Sequence, residues 1–259
     1  MTIDLSINSA ETVGRLVKFI KNTVHRAGFA RVVIGVSGGL DSAVSCFLAA
    51  KALGSDNVIV GLFPYGELNK EGIEDAKLII RKLVIPSSNV ILADIKSFVE
   101  GIVSLDLSID DLRKGNIMVR MRMILLYDLA KKDQALVLGT ENKTEYLLGY
   151  FTRFGDEASD IEPIKGLYKT QLRQLAKYLK LPTKITQKVP SAGMWSGQTD
   201  EGELGFSYEE ADKFLYSYVD LKKSRGEIIK SGLGKEVVDK VLNRLKTNEF
   251  KNRLPFLFK

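Results

Sequence analysis

Ser37-Gly-Gly-Leu-Asp-Ser42 is the stretch of this chain whose residue types and spacing most directly imply chemistry. Its glycines let the backbone turn sharply and present bare N–H groups. A helix beginning just after it adds the positive end of a dipole, so the turn forms a nest for an anion. It is not a G-x-x-x-x-G-K-[ST] loop, since no lysine opens the helix, and it is not G-x-G-x-x-G. Asp41 is the odd member, because a carboxylate inside an anion nest repels phosphate. It makes sense if a divalent metal, usually Mg²⁺, bridges it to phosphate oxygens. The loop therefore implies a metal–triphosphate ligand. The alternative, an ordinary strand-to-helix turn that contains two glycines, fits the position but leaves Asp41 without a role.

Such a loop needs a buried strand before it and a helix after it, because open α/β sheets bind ligands at the carboxyl ends of their strands. Arg31-Val-Val-Ile-Gly-Val36 has the apolar, β-branched look of a strand covered on both faces. Residues 57–63, 89–93 and 135–139 look alike, and helices are expected over about 41–53, 69–83 and 110–131. Ahead of them, Asn8 and Glu11 read as a capping box for a helix carrying Val13, Leu16, Val17 and Ile20. The alternation predicts a doubly wound α/β fold, a parallel sheet with helices on both faces. After Leu148 come a Gly/Asp-rich loop, a helix near 170–179 and two or three C-terminal helices from about 207. Those last helices are expected to cover the sheet or meet a partner. Nothing reads as a linker or a repeat, so a single domain over 1–259 is expected.

Composition narrows the partners. The 259 residues carry a formal charge of +6, one histidine and one cysteine. The excess charge serves solubility or draws in polyanionic small molecules. The basic residues are scattered and lack interleaved aromatics, which speaks against nucleic acid. A lone cysteine allows no internal disulfide and fits a reducing cytoplasm. No signal peptide is evident, and no apolar run approaches the roughly 18 residues of a membrane helix.

Ser-Gly-Gly-x-Asp-Ser resembles the pyrophosphate loop of the N-type ATP pyrophosphatases, which cleave ATP between its α and β phosphates and attach AMP to a substrate oxygen. Four later segments select within that family. They are Gly115-Asn-Ile-Met-Val-Arg-Met-Arg-Met123; Leu138-Gly-Thr-Glu-Asn-Lys-Thr-Glu145; Gly149-Tyr-Phe-Thr-Arg-Phe-Gly-Asp-Glu-Ala-Ser-Asp160 with Leu167-Tyr-Lys-Thr170; and Pro190-Ser-Ala-Gly-Met-Trp-Ser-Gly-Gln198, leading into Asp200-Glu201. In this order they resemble the ammonia-dependent NAD synthetases over about residues 10–255. The fold so implied is the adenine nucleotide alpha hydrolase-like one.

The resemblance implies roles one residue at a time. Gly35, Val36, Ser37, Gly38, Gly39, Leu40, Asp41 and Ser42 would contact ATP, with Thr140, Lys169 and Ser191. Asp41 and Glu145 would bind Mg²⁺; otherwise Glu145 is a solvated helix residue. Lys169 opens a helix against the dipole preference, which a phosphate partner would explain. Arg120, Arg153, Asp160 and Lys251 would contact deamido-NAD, with a plain surface arginine as the bland reading of Arg120. Asp156 resembles the aspartate near the ammonia site. Arg153 stands where many members have lysine, and Phe250 where the family often has histidine. Cys46, in an apolar helical run, reads as core.

The reaction so implied joins ammonia to the nicotinate carboxylate of deamido-NAD after its adenylation, giving NAD, AMP and pyrophosphate. Homodimers are the family habit. Glutamine-using members add a domain with a cysteine nucleophile, for which this chain has no evident room, so free ammonia is the expected donor. Two rivals remain. Another N-type pyrophosphatase would not need the matches at 115–123 and 149–160. A non-catalytic nucleotide-binding module would not need two metal ligands.

Overall fold

The structure, a computed structural model, describes residues 3–253. The first half alternates as α1 (Ser9–Arg26), β1 (Arg31–Gly35), α2 (Leu40–Leu53), β2 (Val58–Leu62), α3 (Lys70–Leu83), β3 (Val90–Leu92), α4 (Lys96–Val103), α5 (Asp111–Lys132) and β4 (Ala135–Val137). After it the described residues form helices: α6 (Lys143–Leu148), α7 (Lys169–Tyr178), α8 (Thr183–Thr186), α9 (Asp200–Leu204), α10 (Tyr208–Leu215), α11 (Arg225–Lys230) and α12 (Lys235–Asn248).

The four strands pair in parallel in the order β3-β2-β1-β4. Their side chains alternate between faces, as the period of two requires. Val32 and Ile34 of β1, with Val58 and Val60 of β2, pack with α1, α2 and α7. Val33 and Ile59 point the other way, into a core shared with Val99 of α4 and Met118 and Leu129 of α5. Helices thus cover both faces, as the unbroken apolar strands imply. The strand order reverses between β1 and β4, which leaves a crevice at their carboxyl ends. Helix α2 is buried from Ser42 to Ala49 on nearly every side, Cys46 included, so the loop before it stands on a rigid support.

Several details differ from expectation. Asn8 caps α1 by accepting from the Glu11 N–H, but the reciprocal half of a capping box is not among the hydrogen bonds. The short α4 and α6 were not foreseen. Six or eight residues give too little periodicity to read. The C-terminal helices do not cover the sheet. Leu204, Phe206, Tyr208, Phe214, Ile228, Val238 and Val241 form a separate apolar cluster with Leu148 of α6 and Tyr168 before α7.

The layering gives a stability contrast. Ile34 is fully buried, while Leu107 is 93% exposed. Ile34→Ala should cost about 2–5 kcal/mol in urea unfolding, and Leu107→Ala less than about 0.5 kcal/mol. Equal effects would contradict the assigned layers.

Candidate active site

The glycine loop closes on its own serines. Ser42 Oγ accepts from the Ser37 N–H at 3.3 Å and donates to the Gly39 carbonyl at 3.1 Å, while Gly39 N–H donates to Ser37 Oγ at 3.2 Å. Gly38 has a φ of +80°, and a Cβ there would stand 2.2 Å from the Gly72 carbonyl oxygen of α3. Only glycine fits both the turn and that approach. Asp41 then lies in the first turn of α2.

Three charged side chains meet beside this loop. Lys169 Nζ lies 2.5 Å from Asp41 Oδ2 and 3.0 Å from Glu145 Oε1, and the lysine side chain is only 3% exposed. Lys169 opens α7, and its carboxylate partners explain its unfavourable place at a positive dipole end. Burial alone would lower its pKa, but Asp41 and Glu145 outweigh burial and hold it above the usual lysine range. Burial pushes the Glu145 carboxyl up, with the Lys169 ammonium opposing. Glu145 is therefore not a solvated surface residue.

The neighbours that orient this trio come from distant segments. Asn142 donates from Nδ2 to Asp41 Oδ1 at 3.0 Å and, with Glu145, makes the capping box of α6. Tyr208 Oη lies 3.3 Å from Glu145 Oε1 and 2.9 Å from Asp200 Oδ2. One turn along α10, buried Asp212 accepts from Thr144 Oγ at 2.5 Å and from the Thr170 N–H at 2.7 Å. Thr144 Oγ in turn accepts from the Lys169 N–H at 3.0 Å. Asp212 thus joins α6 to the start of α7. Asn142 was open to sequence reading through its N-x-x-E spacing. Tyr208 and Asp212 carry no local signal for this task, and Asp200 stood in a matching segment without a role.

A cleft of about 670 Å³ opens over the crevice between β1 and β4. Gly35, Val36, Ser37, Gly39, Leu40, Asp41, Ser42, Thr140, Glu145, Asp156, Lys169 and Ser191 all line it. That gathers the expected nucleotide and metal residues, with Gly38 behind the turn. Two carboxylates already converge on one cation here. Their hard oxygens suit Mg²⁺, which takes one or two carboxylates and leaves the rest to water and phosphate. Among the described residues no group of three or more His, Cys, Asp or Glu side chains could hold a metal by itself.

Acidic groups gather around Asp156, which lines the cleft. Asp156 is exposed to the cleft; its Oδ1 accepts from the Thr152 N–H at 2.8 Å, and the protein packed around the site pushes its carboxyl up to about 6. Behind it, burial pushes Glu141 up to about 8 and Glu162 to about 7. Lys165 Nζ lies 2.7 Å from Glu141 Oε2. Arg122, missed by the sequence reading, lines the cleft and donates from Nε to the Phe63 carbonyl at 3.0 Å.

The remaining expected substrate residues lie off the cleft lining, around residues 149–160. Arg120 donates from Nε and Nη2 to the Arg153 carbonyl, and Arg153 donates to the Arg253 carbonyl at 2.9 Å. Asp160 Oδ2 accepts from the Val137 N–H at 2.8 Å. Lys251 donates to the Gly149 and Phe151 carbonyls at 2.8 and 2.9 Å, so its ammonium ties the chain end to the loop.

A family model described as NAD synthase matches residues 12–255. A relative from Chlorobium phaeobacteroides (strain BS1), described as an NH(3)-dependent NAD(+) synthetase, is 43% identical over 256 residues, covering 98% of this chain and 91% of the relative. Among solved structures, an NMN synthetase from Francisella tularensis superposes with a TM-score of 0.85 at 31% identity, covering 97% of this chain and 99% of that one. An NH3-dependent NAD synthetase from Campylobacter jejuni subsp. jejuni NCTC 11168 gives 0.84 at 30% identity, covering 98% and 100%.

The Asp156 environment has a measurable sign. Its folded pKa, about 6, lies above the unfolded value, so the folded state holds the proton more tightly. The stability from this group is therefore complete below about pH 4 and is lost as pH rises through about 6. Because Asp156 is exposed to the cleft and water screens it, the effect is small: Asp156→Asn should raise the melting temperature slightly at pH 8 and leave it nearly unchanged at pH 4, read by differential scanning calorimetry. A fall at pH 8 would show a carboxylate that stabilises the fold.

Proposed function

The chain belongs to the NAD synthase family, and on that premise we propose that it converts deamido-NAD, ATP and ammonia to NAD, AMP and pyrophosphate through an adenylated intermediate. The observation that carries this reading is the meeting of Lys169, Asp41 and Glu145 beside the glycine loop, within the cleft that also holds Asp156.

A carboxylate is a poor electrophile and must be activated before an amine can attack it. The nicotinate oxygen forms a bond to the α-phosphorus of ATP as the bond to pyrophosphate breaks. Ammonia then attacks the mixed anhydride, and AMP leaves. The protein's part is positioning and charge neutralisation. Ser37 to Ser42 would hold phosphate oxygens with backbone N–H groups, Lys169 and Ser191 would face the same group, and Thr140 would meet the nucleotide at the end of β4. Asp41 and Glu145 would hold Mg²⁺, whose charge offsets that of the leaving pyrophosphate. Asp156, on the lining of the same cleft, would orient ammonia and accept a proton as the C–N bond forms, a contribution of roughly 10²–10⁴-fold if it acts as general base.

Arg120, Arg153, Asp160 and Lys251 would serve the dinucleotide, directly or by shaping the 149–160 loop. The exposed Leu112 and Ile124 of α5, at 54% and 52%, support a homodimer with that helix in the interface. A lone, buried cysteine suits the cytoplasm. No helix among the described residues is long and apolar enough to cross a membrane.

Incubation with ATP, Mg²⁺, ammonium and deamido-NAD should yield NAD with AMP and pyrophosphate. ADP and orthophosphate as products would defeat the assignment. Because a solved neighbour is described as an NMN synthetase, nicotinate mononucleotide belongs in the assay as a competitor, and the dinucleotide should show the higher kcat/KM. Asp41→Asn and Glu145→Gln should each lower kcat roughly 10²-fold or more, with the fold retained by circular dichroism but a lower melting temperature.

The nitrogen donor makes a further test. Free NH₃ is the nucleophile, so at subsaturating ammonium the rate should rise with pH above neutral. Glutamine should be inactive, since Cys46 is buried and burial pushes its thiol up to about 12. Glutamine-dependent NAD formation by the purified chain, abolished by Cys46→Ser, would overturn this donor.

A further inference from the structure

We propose that Lys188 is an additional polyphosphate ligand of the cleft, parked on Asp75 and handed over to a phosphate oxygen when the nucleotide arrives. Asp75 lies on α3 and its side chain is only 1% exposed. It holds two ammonium groups, one on each oxygen: Lys188 Nζ at 2.6 Å from Oδ2 and Lys184 Nζ at 2.8 Å from Oδ1. Lys184 also reaches Glu71 at 3.3 Å. A buried carboxylate stripped of its only cation is strongly disfavoured. Asp75 can release Lys188 and still keep Lys184, so the transfer strands no charge.

Asp75 also stands at the phosphate loop. A Cβ built on Gly38 would lie 2.9 Å from Asp75 Cβ. A lysine bonded to that carboxylate is therefore already beside the nest. Lys188 lines the same cleft as Ser37, Gly39 and Asp41, while Lys184 does not. Their side chains are 29% and 51% exposed. A compact ammonium on a flexible four-carbon stem suits such an exchange better than a planar guanidinium held by a fork of bonds.

The inference rests on the reading of this cleft as a triphosphate site, but it can be judged apart from the overall reaction. The probe is inorganic pyrophosphate with MgCl₂, titrated calorimetrically into the full chain and into its Lys188→Met, Lys188→Gln, Lys188→Arg and Lys184→Met variants. One charge-assisted hydrogen bond fewer should weaken pyrophosphate binding about 10- to 100-fold in whichever neutral Lys188 variant folds. Lys188→Arg should recover part of the affinity, and Lys184→Met, which leaves Lys188 in place as the only cation on Asp75, should weaken binding less than Lys188→Met does. In turnover, Lys188→Met should raise the KM for ATP by a similar factor and leave the KM for deamido-NAD unchanged.

Three results would overturn the proposal: unaltered pyrophosphate affinity in the Lys188 variants, equal losses in Lys184→Met and Lys188→Met, or no measurable pyrophosphate binding by the unaltered protein. The equal losses would mark both lysines as a structural clamp on Asp75. NAD formation by the unaltered protein is scored separately, so failure of the reaction and failure of the lysine hand-over are distinguishable.

Discussion

The buried ammonium of Lys169 fixes the geometry on which the rest of the cleft depends. It ties together residues 128 and 24 positions away in sequence, Asp41 on α2 and Glu145 on α6. Removing the lysine would leave two carboxylates facing each other in a confined space. Removing either carboxylate would leave a buried cation short of charge. Breaking such a group from one side is far more costly than the whole is worth in stability. The three elements are therefore locked to one another, and the glycine loop, being the start of α2, is locked with them.

That lock explains why helices so far along the chain bear on a loop so near its beginning. The all-helical second half forms its own apolar cluster. From it Tyr208 and Asp212, four residues apart and on one face of α10, reach forward. The first meets Glu145, and the second ties Thr144 to the start of α7. The sheet supplies the crevice at its switch point, but the polar side chains that make the crevice chemically useful are braced from outside the sheet. A reader of the fold alone would locate the cleft and miss what sets its charges.

How much of this was legible in the sequence follows the range of each interaction. The loop, its strand and its helix are contiguous, and their glycine, apolar and charge patterns lie within one window. The four strands and the helix at 111–132 were legible for the same reason, through apolar runs and helical spacing. Short α4 and α6 escaped because periodicity needs length. Glu145 and Lys169 were found through resemblance rather than pattern, and the resemblance suggested a phosphate for Lys169 without revealing its two carboxylates. Asp212, Tyr208 and the Asp75–Lys188 pair, 113 residues apart, were illegible for a physical reason. A single polar residue on an otherwise amphipathic helix looks the same whether it meets water or a buried partner.

The charge of the cleft differs from that of the chain. The whole protein carries +6, which invites the idea that it draws in nucleotides by bulk attraction. The cleft lining holds five carboxylates, Asp41, Glu145, Asp156, Asp200 and Glu201, against four cations, Arg122, Lys169, Arg173 and Lys188. Two of those cations are already committed, Lys169 to Asp41 and Glu145, and Lys188 to Asp75. A polyphosphate entering this lining would meet little net positive charge and two carboxylates directly beside its nest. Attraction by the surface can raise its local concentration, but it cannot settle the phosphates next to Asp41 and Glu145. On the proposed reading a further cation would arrive with the nucleotide, and the lysines would exchange carboxylate for phosphate. The balanced lining would then be a means of selection: a polyanion without its metal would be repelled by the same two side chains that would hold it once the metal is bound.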